Sequence, residues 1–205
     1  MTDIKNRISS LLTTEASKKT AEIIQKFTKP CVCVVEFGSR GGVSGIILID
    51  GLAGSKQSYK KRLVSVDLVS DNTTDLLAQI SKENGVSHYF WKGHTSQYPL
   101  HEMDALLWDT FHSGGSLFMD LDRLAPYIKK YIIVLGVTSF GTVSEACKFD
   151  LAAVSRELGV EEEDAKLGLC AGMEKFIKKH TEWSIVETYG EVAVLGRKEK
   201  RSSSK

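Results

Sequence analysis

The sequence predicts an α/β fold: a doubly wound, mostly parallel sheet of about seven strands that ends in an antiparallel hairpin. Two observations carry this. Short apolar runs alternate with stretches of helical periodicity along most of the chain. At its end, WSIVETY (183–189) and EVAVLGR (191–197) are separated by Gly190 alone. So short a connection makes the pair antiparallel, because a parallel crossover needs about a dozen residues or more.

The apolar runs that read as parallel strands are CVCVVEF (31–37), RLVSVDL (62–68), SHYFW (87–91), ALLWDT (105–110) and YIIVLG (131–136). Residues 15–28 place Ala21, Ile24 and Phe27 on one helical face and stop before Pro30, which disfavours helix in its predecessor. Residues 43–52 are almost wholly apolar, as expected of a helix packed closely on a sheet. In residues 73–84, Thr73 reads as the cap, Leu76, Leu77 and Ile80 as the buried stripe, and Gly85 as the stop. Residues 115–125 repeat the pattern with Leu117, Leu121 and Leu124, and a last helix around 168–180 precedes the hairpin. Strand–helix units in series argue for a sheet covered on both faces. Residues 1–197 therefore read as one domain, with residues 1–30 as a helical lead-in. Residues 198–205 read as a disordered basic tail.

Bulk properties narrow the function. A chain of 205 residues with a net charge of +1 holds one sizeable core and offers no electrostatic reason for a nucleic-acid partner. No run of about 18 apolar residues predicts a membrane span, and the first residues lack the order of a secretory signal, so a cytoplasmic protein is expected. Cys31, Cys33, Cys147 and Cys170 lack metal-ligand spacing and read as reduced, mostly buried thiols; on a strand, Cys31 and Cys33 would share a face. Trp91, Trp108 and Trp183 read as core residues, with stacking on a sugar as the alternative. Oligomeric state is not legible.

The chemistry gathers at VVEFGSRGGVSG. Ligands of doubly wound sheets lie beyond the carboxyl ends of the strands, where strand order reverses, and the first strand feeds that point. Glycines there admit a close ligand and positive φ. The dinucleotide fingerprint wants glycine at the first, third and sixth positions, but Gly38 is followed there by Arg40 and Val43. Glu36 would repel a pyrophosphate, whereas it suits the cationic methionine end of S-adenosyl-L-methionine, directly or through water. Asp67 ends the second strand, where an acid accepts hydrogen bonds from ribose hydroxyls or, alternatively, caps the strand. The third strand runs into KGHTSQ, where Gly93, His94 and Thr95 stand near the expected adenine; His94 reads equally as an exposed loop histidine.

With VEFGSRGGVSGIILIDGL, RLVSVDL, LLWDTFHSGGSLFMDLDRLAPYIKKYII, TSFGTVSEA, GLCAGMEKFIKKHTEW and VAVLGR in view, the chain resembles the class I, Rossmann-like S-adenosylmethionine-dependent methyltransferases. Within them it resembles cephalosporin-hydroxylase-like proteins and sugar or glycan O-methyltransferases. The resemblance implies an enzyme that methylates a hydroxyl, most readily of a sugar or glycan, and leaves S-adenosyl-L-homocysteine as product. The implied cofactor contacts are Glu36, Gly38, Ser39, Arg40, Gly41 and Ser44, then Asp67 and Leu68, then Gly93, His94 and Thr95, and finally Asp109. His112 is the expected base, with Asp109 orienting it or serving as the base itself; helix capping is the bland alternative for both. The family commonly carries a His-Asp pair after the fifth strand. Here Leu135 and Gly136 stand instead, which argues against a catalytic metal. The same gap motivates a second reading, an inactive S-adenosylmethionine-binding module within a larger glycan-building protein. Acceptor choice is expected to lie in 97–104 and 138–167, whose EEED run (161–164) reads as a solvated helix face.

Overall fold

The computed structural model describes residues 4–70 and 72–198. Most of the predicted basic tail, residues 199–205, lies outside them. Two helices lead in, α1 (Ile4–Leu11) and α2 (Glu15–Thr28). A capping box between Thr14 and Ser17 starts α2, which buries Ala21, Ile23, Ile24 and Phe27. The alternation that follows is β1 (Cys33–Phe37), α3 (Val43–Ala53), β2 (Lys61–Asp67), α4 (Asn72–Glu83), β3 (Val86–Lys92), β4 (Met103–Trp108), α5 (Gly114–Leu124) and β5 (Ile128–Leu135). After β5 come α6 (Leu151–Leu158), α7 (Glu162–Ala165), α8 (Leu169–Lys179), β6 (Trp183–Tyr189) and β7 (Val192–Arg197).

The seven-stranded sheet has the order β3-β2-β1-β4-β5-β7-β6. Pairings among β1 to β5 are parallel, and β7 is antiparallel to both β5 and β6. The hairpin turns on Gly190, whose φ of 48° is the conformation glycine adopts without steric cost. Strand order reverses between β1 and β4, so the expected crevice opens beyond their carboxyl ends. One core packs α1 to α4 on one face, and the other packs α5 and α8 on the opposite face. Trp108 and Trp183 are fully buried, and Trp91 packs against the second core. No helix among the described residues is long and apolar enough to cross a membrane.

Several expectations change. Cys31 lies before β1 and joins the first core, whereas Cys33 begins the strand and faces the second, so the two thiols fall on opposite faces. Cys147 and Cys170 are exposed. Helix α4 begins at Asn72, which puts Thr73 inside the helix rather than at its cap. The β3–β4 connection, where 97–104 reads as a loop, holds a 3-10 turn, Thr95–Gln97, and no α-helix. The stretch 138–167 carries α6 and α7, and α7 exposes the acidic run.

Candidate active site

The glycine turn follows from how tightly β1 meets its neighbours. Gly38 N–H donates to the Val66 carbonyl at 2.9 Å, and Asp109 N–H donates to the Phe37 carbonyl at 2.9 Å. Gly38 has φ 82°, and a Cβ there would overlap the Asp109 carbonyl oxygen. Gly41 also has positive φ, 78°, but a Cβ at that position would meet only open space. Gly42 caps α3 in the left-handed conformation against Thr73. The turn thus presses on the end of β4 at one glycine and opens at another.

Asp67 ties the second strand to this turn. Its Oδ2 accepts from Ser39 N–H at 3.0 Å and its Oδ1 from Val69 N–H at 3.2 Å. A carboxylate has lone pairs for about four hydrogen bonds, so partly exposed Asp67 retains acceptor capacity. Its carbonyl accepts from Gly93 N–H at 3.0 Å, which brings the third-strand loop to the same edge. Leu68 and Arg40 are exposed beside it. His94 turns back on its own loop, with Nδ1 2.8 Å from Ser96 Oγ. Arg123 locks the same loop through the Thr95 and Tyr98 carbonyls at 2.6 and 2.7 Å.

Glu36, expected to meet a ligand directly or through water, lies beneath the turn. It has no exposed surface, accepts from Ser44 Oγ at 2.5 Å and Ser65 Oγ at 2.9 Å, and braces the turn from beneath. Burial pushes its pKa up to about 7 against the pull of those two hydroxyls, and nearby Asp109 and Asp67 raise it further. His88 lies 3.1 Å from Ser65 Oγ and continues the chain outward.

The second half of the site stands after β4. The His112 Nε2 atom lies 3.2 Å from Asp109 Oδ1, and Nδ1 lies 3.2 Å from Glu145 Oε2. The ring stacks on Phe140 at 4.5 Å. The backbone reinforces this, since Glu145 N–H donates to the His112 carbonyl at 2.9 Å and His112 N–H donates to Glu145 Oε2 at 3.2 Å. Burial lowers the pKa of His112, but hydrogen bonds and charge from Asp109 and Glu145 outweigh it, and the net shift is upward. The helix cap is Ser113, not His112.

Gly136 explains the gap after the fifth strand. Its φ is 82°, and a Cβ there would lie 2.6 Å from His112 Nε2. The missing side chain makes room for the histidine ring. Because His112 lies between Asp109 and Glu145, the two carboxylates do not converge, and among the described residues no group of three or more His, Cys, Asp or Glu is arranged to hold a metal ion.

Sequence reasoning paired Asp109 with His112 and missed Glu145. It lies 33 residues beyond His112, in a 3-10 turn (Glu145–Lys148) within a stretch read only as a specificity loop. No local signal pairs them.

No family model and no curated protein matches this sequence. Solved structures do match in fold. An O-methyltransferase from Bacillus cereus in complex with SAH has a TM-score of 0.57 at 14% identity, over 96% of this chain and 89% of that one. The O-methyltransferase TomG from Streptomyces achromogenes, in complex with SAM, has a TM-score of 0.56 at 13% identity, over 98% and 91%. The SAH-bound Podospora anserina methyltransferase PaMTH1 has a TM-score of 0.56 at 12% identity, over 97% and 89%. At such identities the likeness establishes the fold.

Proposed function

We propose that this chain is an S-adenosyl-L-methionine-dependent O-methyltransferase acting on the hydroxyl of a small molecule or glycan. The observation that carries this reading is a juxtaposition. A glycine turn that opens at Gly41 and is tied to Asp67 shares one sheet edge with a histidine clamped between two carboxylates. The SAH- and SAM-bound neighbours of the same fold support it.

The residues fit the cofactor. Gly38 to Gly42 form the cradle, and Asp67 supplies acceptors suited to a ribose. Leu68 adds apolar surface beside them, and Gly93, His94 and Thr95 border the loop where a base would lie. Bound there, S-adenosylmethionine supplies a methyl carbon already activated by its sulfonium.

This chain's remaining task is to orient the acceptor and remove its proton. In the tautomer this mechanism uses, His112 donates Nδ1–H to Glu145, and Nε2, beside Asp109, is the nitrogen that receives a proton. With the cofactor bound, Nε2 would take the proton of the acceptor hydroxyl as its oxygen bonds the methyl carbon and the carbon–sulfur bond breaks to leave S-adenosylhomocysteine, and Asp109 would stabilise the resulting imidazolium. This follows the logic by which a buried acid orients a catalytic histidine. Phe111 and half-exposed Phe149, with ring centroids 6.0 Å apart, form an apolar lip on which a sugar or an aromatic ring can rest.

The inactive-module reading was motivated by the missing acid at Gly136, and the room which that glycine makes for His112 removes the motive. The test is His112→Ala, assayed by calorimetric titration with S-adenosylhomocysteine and by turnover over sugar and phenolic acceptors. Cofactor affinity should stay within about twofold while transfer falls roughly 100- to 10,000-fold, the range of a lost general base. Full turnover in the variant, or no binding of S-adenosylhomocysteine by the parent protein, overturns the proposal.

A further inference from the structure

The sheet face left without a helix between β3 and β4 holds a cavity of about 650 Å3. The volume is in the range of small-molecule sites. Tyr89, Trp91 and Tyr98 form aromatic walls, the last two meeting edge to face at 5.6 Å. Tyr89 is 53% exposed, so the aromatic surface is open to an incoming molecule. The charged end of the cavity lies away from the methyl-transfer edge, while Trp91 at its other end packs on Gly93 and borders the proposed base loop. Cys33, Arg62 and Met103 stand at the amino ends of β1, β2 and β4, whereas Gly38, Asp67 and Asp109 stand at the carboxyl ends.

Charge along the wall is unevenly matched. Glu102 pairs with Lys129 at 2.6 Å, and Asp104 pairs with Lys130 at 3.1 Å while also accepting from Val32 N–H at 2.7 Å. Arg62 has no such partner. Its Nε and Nη2 donate to Cys33 Sγ at 3.3 and 3.2 Å, and among the described residues no salt bridge joins it to Glu102 or Asp104, which line the same cavity. A thiol is a weak acceptor, and Nη1 is left with no partner among those residues. A guanidinium with a free donor edge beside aromatic rings recognises a planar anion, since the fork matches a carboxylate and the rings match a flat apolar body.

We propose that this cavity binds an aromatic carboxylate, its ring against Tyr89 and Trp91 and its carboxylate on the outer edge of Arg62. This site stands independently of the methyl-transfer reading.

Naphthoate is the probe, titrated into the full chain by calorimetry and by tryptophan fluorescence. Because Trp108 and Trp183 are fully buried, the quench should come from Trp91. Saturable one-site binding is expected, with naphthamide at least about tenfold weaker because it lacks the charge. Arg62→Met should weaken naphthoate roughly 10- to 100-fold, the scale of a charge-assisted hydrogen bond. Tyr89→Ala should weaken naphthoate and naphthamide alike. Both side chains are exposed at the surface, and circular dichroism checks that the variants fold. S-adenosylhomocysteine at saturation should leave naphthoate affinity unchanged. Equal affinity for naphthamide or in Arg62→Met, absence of saturable binding, or competition with S-adenosylhomocysteine overturns the proposal. So does a stable dimer that Tyr89→Ala dissociates, which assigns the face to a second copy.

Discussion

Replacing Glu36 with glutamine should change how stability depends on pH, and the size of the effect follows from the site. The carboxyl is fully buried and its pKa is pushed up to about 7, against an ordinary value of 4.5 taken for the unfolded chain. Below pH 4.5 both states hold the proton and the group contributes no pH dependence. As pH rises toward 7 the unfolded chain loses its proton first, so stability falls; above 7 both states have lost it and the curve flattens. The difference, 7 − 4.5 = 2.5, at about 1.36 kcal/mol per pKa unit, gives a loss of about 3 kcal/mol. No discount for solvent screening applies to a group with no exposed surface. Glutamine keeps the shape and carries no charge at any pH, so Glu36→Gln should lack this fall. Rearranging the hydrogen bonds to Ser44 and Ser65 costs about 1 kcal/mol, but it shifts both ends of the curve equally. Urea unfolding of both proteins at pH 4.5 and pH 8 isolates the effect, since titrations not coupled to Glu36 cancel in the double difference. Glu36→Gln should gain about 3 kcal/mol over the parent between those two pH values. Parallel pH profiles, or a gain by the parent, would refute the assignment of Glu36 as a buried, proton-holding carboxyl.

Three further outcomes are expected. Glu145→Gln removes one of the two carboxylates that raise His112, so the imidazole should titrate at lower pH by NMR, and the rising limb of transfer against pH should move the same way; an unchanged His112 titration contradicts the clamp. Gly136→Ala places a Cβ 2.6 Å from His112 Nε2 at a φ of 82°. It should cost about 1–2 kcal/mol in backbone strain and abolish transfer as His112→Ala does, with S-adenosylhomocysteine titration nearly unaffected; normal turnover excludes Gly136 as the residue that makes room for the ring. Asp67→Asn keeps the shape of the strand end but removes its charge. S-adenosylhomocysteine affinity should fall roughly tenfold to a hundredfold by calorimetry, and unchanged affinity removes Asp67 from the ribose site.

Much of this architecture is legible in the residues because it rests on local rules. The helix over 15–28 reads directly from its periodicity and from Pro30, and the hairpin from a single glycine. Both are short-range consequences of backbone geometry. Where reading fails, the missing information is long-range. Cys31 and Cys33 alternate in sequence, yet the strand begins only at Cys33, so the period of two does not reach back to Cys31.

The sequence by itself determined the parallel sheet, the antiparallel end, the glycine turn and the residues Asp67, Asp109 and His112 as candidates. Each depends on residues near one another along the chain. Tertiary structure alone decided what surrounds them. It buried Glu36 beneath the turn, brought Glu145 across 33 residues to the far nitrogen of His112, and showed Gly136 to be space for that ring. It also left Arg62 at an aromatic cavity, its guanidinium hydrogen-bonded to the Cys33 thiol. The physical reason is the same in each case. A side chain's chemistry is set by what stands within a few ångströms, and in a doubly wound sheet those neighbours come from loops distant in sequence.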